Sequence, residues 1–114
     1  MSSSPLANRN RRADHRRNPR GGIRVTCRKG AFGLGENLAL GFLDVSETGI
    51  RLLLRAPLDP NQEIEVSLLT PGLRRPLQVL ANVVWCQPAA DGTLWAGARF
   101  QKRLRYADFQ AICR

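Results

Sequence analysis

Histidine is almost missing from this chain, and its scarcity removes most catalytic chemistry. The 114 residues contain one, His15, inside a cluster of arginines whose charge disfavours its protonated form. A hydrolase or transferase needs a nucleophile with its base, or a metal with several ligands. Cysteine is little better supplied: Cys27, Cys86 and Cys113 are odd in number and lack the short pairwise spacing of a zinc site. They are expected as reduced, partly buried thiols. No apolar run approaches the roughly 20 residues that cross a bilayer. The opening Met1-Ser2-Ser3-Ser4-Pro5 carries no hydrophobic signal core, so the expected compartment is the cytoplasm, without membrane insertion. The glycine-rich stretch Gly30 to Gly35 lacks the Lys-Ser/Thr ending of a phosphate-binding loop and reads as a strand connection. What these absences leave is a binding module, neither enzyme nor cofactor protein.

One domain is the natural size for this length, and a hydrophobic fraction of 43% suffices for a single modest core. The formal net charge is +9, and it is concentrated. Arg9, Arg11, Arg12, Arg16, Arg17, Arg20, Arg24, Arg28 and Lys29 all precede residue 30, with Asp14 the only acid among them; beyond that point the chain is nearly neutral. Clustered charge creates a binding field, whereas scattered charge mainly keeps a protein soluble. Arginine far outnumbers lysine, and its planar fork binds phosphates and guanine edges bidentately where an ammonium is a point charge.

Residues 1–22 are rich in Ser, Asn and Arg, poor in β-branched and aromatic residues, and end in Asn18-Pro19-Arg20-Gly21-Gly22, the composition of a flexible arm with a glycine hinge. From residue 23 to 114 the pattern is that of a folded body. Ile23, Val25 and Cys27 alternate with Arg24, Thr26 and Arg28, the period of a half-buried strand. Leu38 to Val45 is apolar on both sides with Gly41 inside, which suits a bent or bulged strand. Ile50, Leu52 and Leu54 predict a third strand, and Ile64, Val66 and Leu68 a fourth. Leu77, Val79, Ala81, Val83 and Trp85 share one face of a long fifth strand, which Asp91-Gly92 turns back into Leu94 to Phe100. The spacing of Leu104, Ala107 and Ala111, with Tyr106, Phe109 and Cys113 beside them, predicts a short closing helix. The fold class is therefore all-β with a C-terminal helix, a six-stranded antiparallel barrel whose closure removes exposed edges.

Two spacings carry the functional signal: Arg16-Arg17-Asn18-Pro19-Arg20 in the arm, and Asp44-Val45-Ser46-Glu47-Thr48-Gly49 between two strands. They resemble the RxxxR and (D/N)xSxxG motifs of the PilZ domain family, bacterial receptors for cyclic di-GMP. Val83-Val84-Trp85, Asp91-Gly92 and Gly97-Ala98-Arg99-Phe100 resemble the later hairpin of that family, so the likeness extends over nearly the whole chain. The resemblance implies a Greek-key barrel and a site built from Arg16, Arg17, Arg20, Asp44, Ser46 and Gly49, with Arg12 and Trp85 as second-rank candidates. The ligand's chemistry agrees, because arginine chelates guanine O6 and N7, binds phosphate and stacks on bases. Asp44 can accept from guanine N–H donors, and Gly49 is expected to supply a backbone conformation closed to other residues. Gly21-Gly22 departs from the family, which more usually begins a strand there.

Ordering of the arm over the ligand would present a new surface to a downstream protein partner. Two other classes compete. A basic arm on a barrel can bind nucleic acid, but single-strand binders display several surface aromatics, and Phe42, Trp85 and Phe100 sit in strand patterns that favour burial for most of them. A barrel of this kind can also serve as a protein adaptor without binding nucleotide, a reading the intact motifs oppose.

Overall fold

The computed structural model describes residues 22–32, 34–71 and 74–112. Six strands follow one another: β1 Arg24–Lys29, β2 Ala39–Val45, β3 Gly49–Leu54, β4 Glu63–Leu69, β5 Leu77–Pro88 and β6 Leu94–Phe100, then helix α1 at Tyr106–Ile112. All pairings are antiparallel, in the order β1-β4-β5-β6-β3-β2. The hairpin-linked run β4-β5-β6 with β3 returned beside β6 is a Greek key.

The two end strands meet, nearly closing the barrel. Leu38 donates its N–H to the Cys27 carbonyl at 2.8 Å. The Asn37 side-chain oxygen accepts from the N–H of Cys27 at 2.9 Å and of Ala39 at 3.0 Å. One amide side chain thus joins β1 to the start of β2, pairing backbone groups that an open edge would leave unsatisfied.

The inward positions follow the alternation in the sequence: Cys27 on β1, Ile50, Leu52 and Leu54 on β3, and Ile64, Val66 and Leu68 on β4 are fully buried. Large residues face small ones across the β3–β6 pair, Ile50 opposite Ala98 and Leu52 opposite Ala96, which lets bulky side chains fill a narrow interior. Each buried Leu or Ile contributes about 1.5–3 kcal/mol.

In β2 the pairing slips twice, around Leu40 and around Leu43. Each slip inserts a residue, so Ala39, Phe42 and Val45 point inward while Gly41 and Asp44 point outward; a segment apolar on both faces is accommodated by bulging. Leu40 and Leu43, the inserted residues, are exposed.

Two expectations need correction. The Val83–Trp85 bulge in β5 sets Trp85 opposite Gly97 and Cys86 opposite Ala96, so Trp85 leaves the inner face that Ala81 and Val83 occupy and stands outside, while Cys86 packs against the core. In α1 the residues that reach the core are Phe109 and Ile112, with Leu104 just before the helix; Ala107 is exposed, because the larger apolar side chains take the inward face and leave the small one to solvent. The β5–β6 connection is the expected tight one, with Asp91 at φ 60° and Gly92 at φ 76°.

Candidate functional site

Residues 46–49 link β2 to β3, and Ser46 organises the link. Its N–H donates to the Gly49 carbonyl at 2.8 Å, and its Oγ accepts from the N–H groups of Thr48 at 3.2 Å and Gly49 at 3.1 Å. Ser46 is wholly buried. Its hydroxyl therefore holds the shape of the turn, the local side-chain-to-backbone bonding for which serine favours turns.

Gly49 is required for a different reason than the sequence suggested. Its φ is not in the left-handed region. A Cβ there would lie 2.7 Å from the Ala98 carbonyl oxygen, so glycine is needed for the close approach of β3 to β6.

Asp44, the last outward position of β2, faces Arg51 directly across the strand pair. Arg51 Nε donates to Asp44 Oδ1 at 3.0 Å and to Oδ2 at 3.1 Å, and a terminal nitrogen donates to Oδ2. The Asp44 side chain keeps a tenth of its surface exposed, that of Arg51 two fifths. The hydrogen bond to Asp44 holds the Arg51 guanidinium even further above its usual range; burial opposes this, and the carboxylate charge adds to it.

The rim of the turn is tied to the end of β6 and the segment after it. Phe100 donates to the Thr48 carbonyl and Leu104 to the Glu47 carbonyl, both at 2.8 Å, and Arg103 bonds Glu47 at 2.8 Å. The turn thus sits on a rigid base, which suits a site that must keep its geometry.

Outside the barrel, Trp85 lies against Gly97; a Cβ at Gly97 would fall 2.9 Å from the indole Cζ2. A groove of about 180 Å³ runs from Thr48 and Gly49 past Trp85 to Gly97 and Arg99. A second, of about 230 Å³, is lined by Leu43, Arg51, Trp85, Gln87 and Trp95. The structure therefore brings Asp44, Gly49 and Trp85 to one outer face, with Ser46 buried in the adjoining turn. Arg12, Arg16, Arg17 and Arg20 lie outside the described residues.

Sequence reasoning missed Arg51, although a signal existed. Counting outward from the 46–49 turn pairs Val45 with Ile50 and Asp44 with Arg51, an opposite-charge cross-strand pair. Nothing comparable marked Gln87, whose place on this face depends on the bulge in β5, or Trp95.

Among the described residues no group of His, Cys, Asp and Glu could hold a metal ion, and no helix is long and apolar enough to cross a membrane. No curated protein matches the chain. The PilZ domain family model matches residues 10–112, a span that includes Arg11 to Arg20 of the arm, the 44–49 turn and every strand of the barrel. The chain belongs to the PilZ domain family, whose members are binding domains and generally receptors for cyclic di-GMP.

Proposed function

We propose that this protein binds cyclic di-GMP between the arginine arm and the 44–49 turn, and that the arm, on ordering over the ligand, signals to a downstream partner protein. The observation that carries the reading is where the arm is rooted. Gly22 and Ile23 line one groove with Leu40, Gly41 and Phe42 of β2, and Cys27 meets Leu38 at the start of that strand. β1 and β2 therefore run antiparallel along the seam, and Gly22 stands at the end of β1 nearest the Asp44 end of β2. Arg20 is two residues upstream of Gly22, a reach of about 7 Å at most. An arm continuing from that end brings its guanidinium groups beside the turn.

Asp44 accepts from guanine N–H groups, since each carboxylate oxygen can take more than one donor. Ser46 and Gly49 act by keeping the turn compact. Arg16 and Arg20 clasp phosphate or base, Arg17 and Arg12 add phosphate contacts, and Trp85 borders the groove. Ligand binding drives the switch only to the extent that the ordered arm binds better than the free one.

Titration calorimetry with cyclic di-GMP, with GTP and GMP as controls, tests the reading. Arg20→Ala and Asp44→Ala should each lose about 2–5 kcal/mol of binding free energy, because a charged partner is left unpaired. Equal affinity in wild type and both variants refutes the site. Salt-sensitive binding to arbitrary RNA with no preference for cyclic di-GMP assigns the arm to nucleic acid instead.

A further inference from the structure

The outer face of β1, β4 and β5 carries another cavity, of about 500 Å³, which the 44–49 turn does not border. Its floor is polar: Thr26 stands opposite Ser67 and Arg28 opposite Glu65 across β1–β4, and Ser67 stands opposite Gln78 across β4–β5. Ala31 and Phe32 form its wall, on a loop anchored where the Gly30 N–H donates to the Glu63 carbonyl at 2.9 Å. Gln78 and Trp85 are far apart on β5, roughly 20 Å along the strand, so this cavity is separate from the face that carries the motif turn. The fold makes no use of its polar groups. Among the described residues, no side-chain hydrogen bond or ion pair involves Thr26, Arg28, Glu65, Ser67 or Gln78. Opposite charges facing each other across a strand pair ordinarily join, yet Arg28 and Glu65 do not. The Arg28 nitrogen Nη1 is buried with no acceptor, an arrangement that costs stability until something bonds it. Phe32 is 83% exposed, which sets an apolar surface directly beside these unpaired donors and acceptors.

From this arrangement we infer that the cavity binds an α-amino acid as its zwitterion, independently of the nucleotide. Arg28 donates to the carboxylate and Glu65 accepts from the ammonium, so each of two charges that leave one another unpaired is answered by one end of the same small molecule. A guanidinium takes a carboxylate by parallel N–H bonds. The ammonium has three donors, enough for Glu65 and for the side-chain oxygens of Ser67 and Gln78. A lone anion would be repelled by Glu65 and a lone cation by Arg28, so the pair selects a ligand that carries both signs. Ala31 and Phe32 receive the ligand's side chain, which favours an apolar one. A volume of about 500 Å³ falls within the roughly 300–1,000 Å³ of small-molecule pockets.

Titration of the isotope-labelled full chain with L-leucine, followed by NMR of the backbone amides, tests the site, with acetate and methylammonium as controls that carry one charge each. Leucine should shift the amides of Thr26, Arg28, Phe32, Glu65, Ser67 and Gln78 saturably, with a midpoint of about 1 mM or below. Acetate and methylammonium should each act at least about tenfold more weakly. Arg28→Gln and Glu65→Gln should each raise the leucine midpoint about tenfold, the loss of one charge-assisted bond. Neither substitution strands a partner in the free protein, and thermal melting checks that both variants fold; should Arg28→Gln not fold, Glu65→Gln decides alone. Absence of a saturable shift with leucine overturns the site. Acetate binding as well as leucine, or a leucine midpoint unmoved by Glu65→Gln, overturns the assignment to a zwitterion.

Discussion

Arg51 reaches across the β2–β3 pair and holds Asp44 by both carboxylate oxygens, making the motif aspartate one half of a fork-shaped ion pair. A bidentate pair of this kind fixes direction as well as charge. The aspartate is therefore already oriented before any ligand arrives. Arg51→Ala should destabilise the fold by about 1–3 kcal/mol, since Asp44 loses its guanidinium partner while remaining largely buried. Arg51→Lys should recover only part of this, because an ammonium cannot reproduce the fork. Urea unfolding of both variants checks the order; equal stabilities for Ala and Lys would assign Arg51 no orienting role.

At Gly49 the obstacle to a side chain is backbone, the Ala98 carbonyl 2.7 Å from where a Cβ would sit. Backbone yields less than a flexible side chain. Gly49→Ala should cost about 1–3 kcal/mol, read from the shift in denaturant midpoint. A variant as stable as wild type would show that β3 and β6 can separate freely.

Gly97 faces a side chain instead, the Trp85 indole, which can swing away. Gly97→Ala should thus leave stability within about 1 kcal/mol of wild type while shifting tryptophan emission to longer wavelength as the indole moves into water. An unchanged spectrum would contradict the close seating of Trp85 on Gly97.

Burial pushes the Cys27 thiol up from its ordinary value of 9.0 to about 12. Between those values the unfolded chain ionises the thiol and the folded chain does not, so the folded state binds more protons and stability falls as pH rises. That contribution is fully present below pH 9 and lost on approach to pH 12. Urea midpoints at pH 8 and pH 10.5 should show a larger alkaline loss for wild type than for Cys27→Ala. Parallel loss in both proteins would mean that Cys27 is not the group responsible. At pH 8 Cys27 should also resist alkylation until the protein unfolds, since the thiolate is the reactive form.

The alternation of apolar and polar residues determined most of the barrel. Strands β1, β3 and β4 bury the residues whose spacing announces them, because a period of two places every second side chain on the same face whatever the neighbours are. Asp91-Gly92 turned β5 back into β6, since both residues accept the left-handed backbone a tight hairpin needs. The motif turn was legible from its residue types, and the arm's charge from composition alone.

Tertiary structure decided which side of the sheet several functional residues occupy. A bulge adds one residue to a strand and reverses the facing of everything beyond it, and whether a strand bulges depends on the partner it must follow around a closed barrel. That is why Trp85 stands outside beside Gln87 and Trp95 rather than under Val83. Likewise the approach of β6, not its own turn, requires Gly49, and tertiary packing decides that α1 buries Phe109 and Ile112 while Ala107 meets water. Local pattern dictates the period of a strand; closure of the barrel dictates its phase, and the outer face of this protein depends on phase.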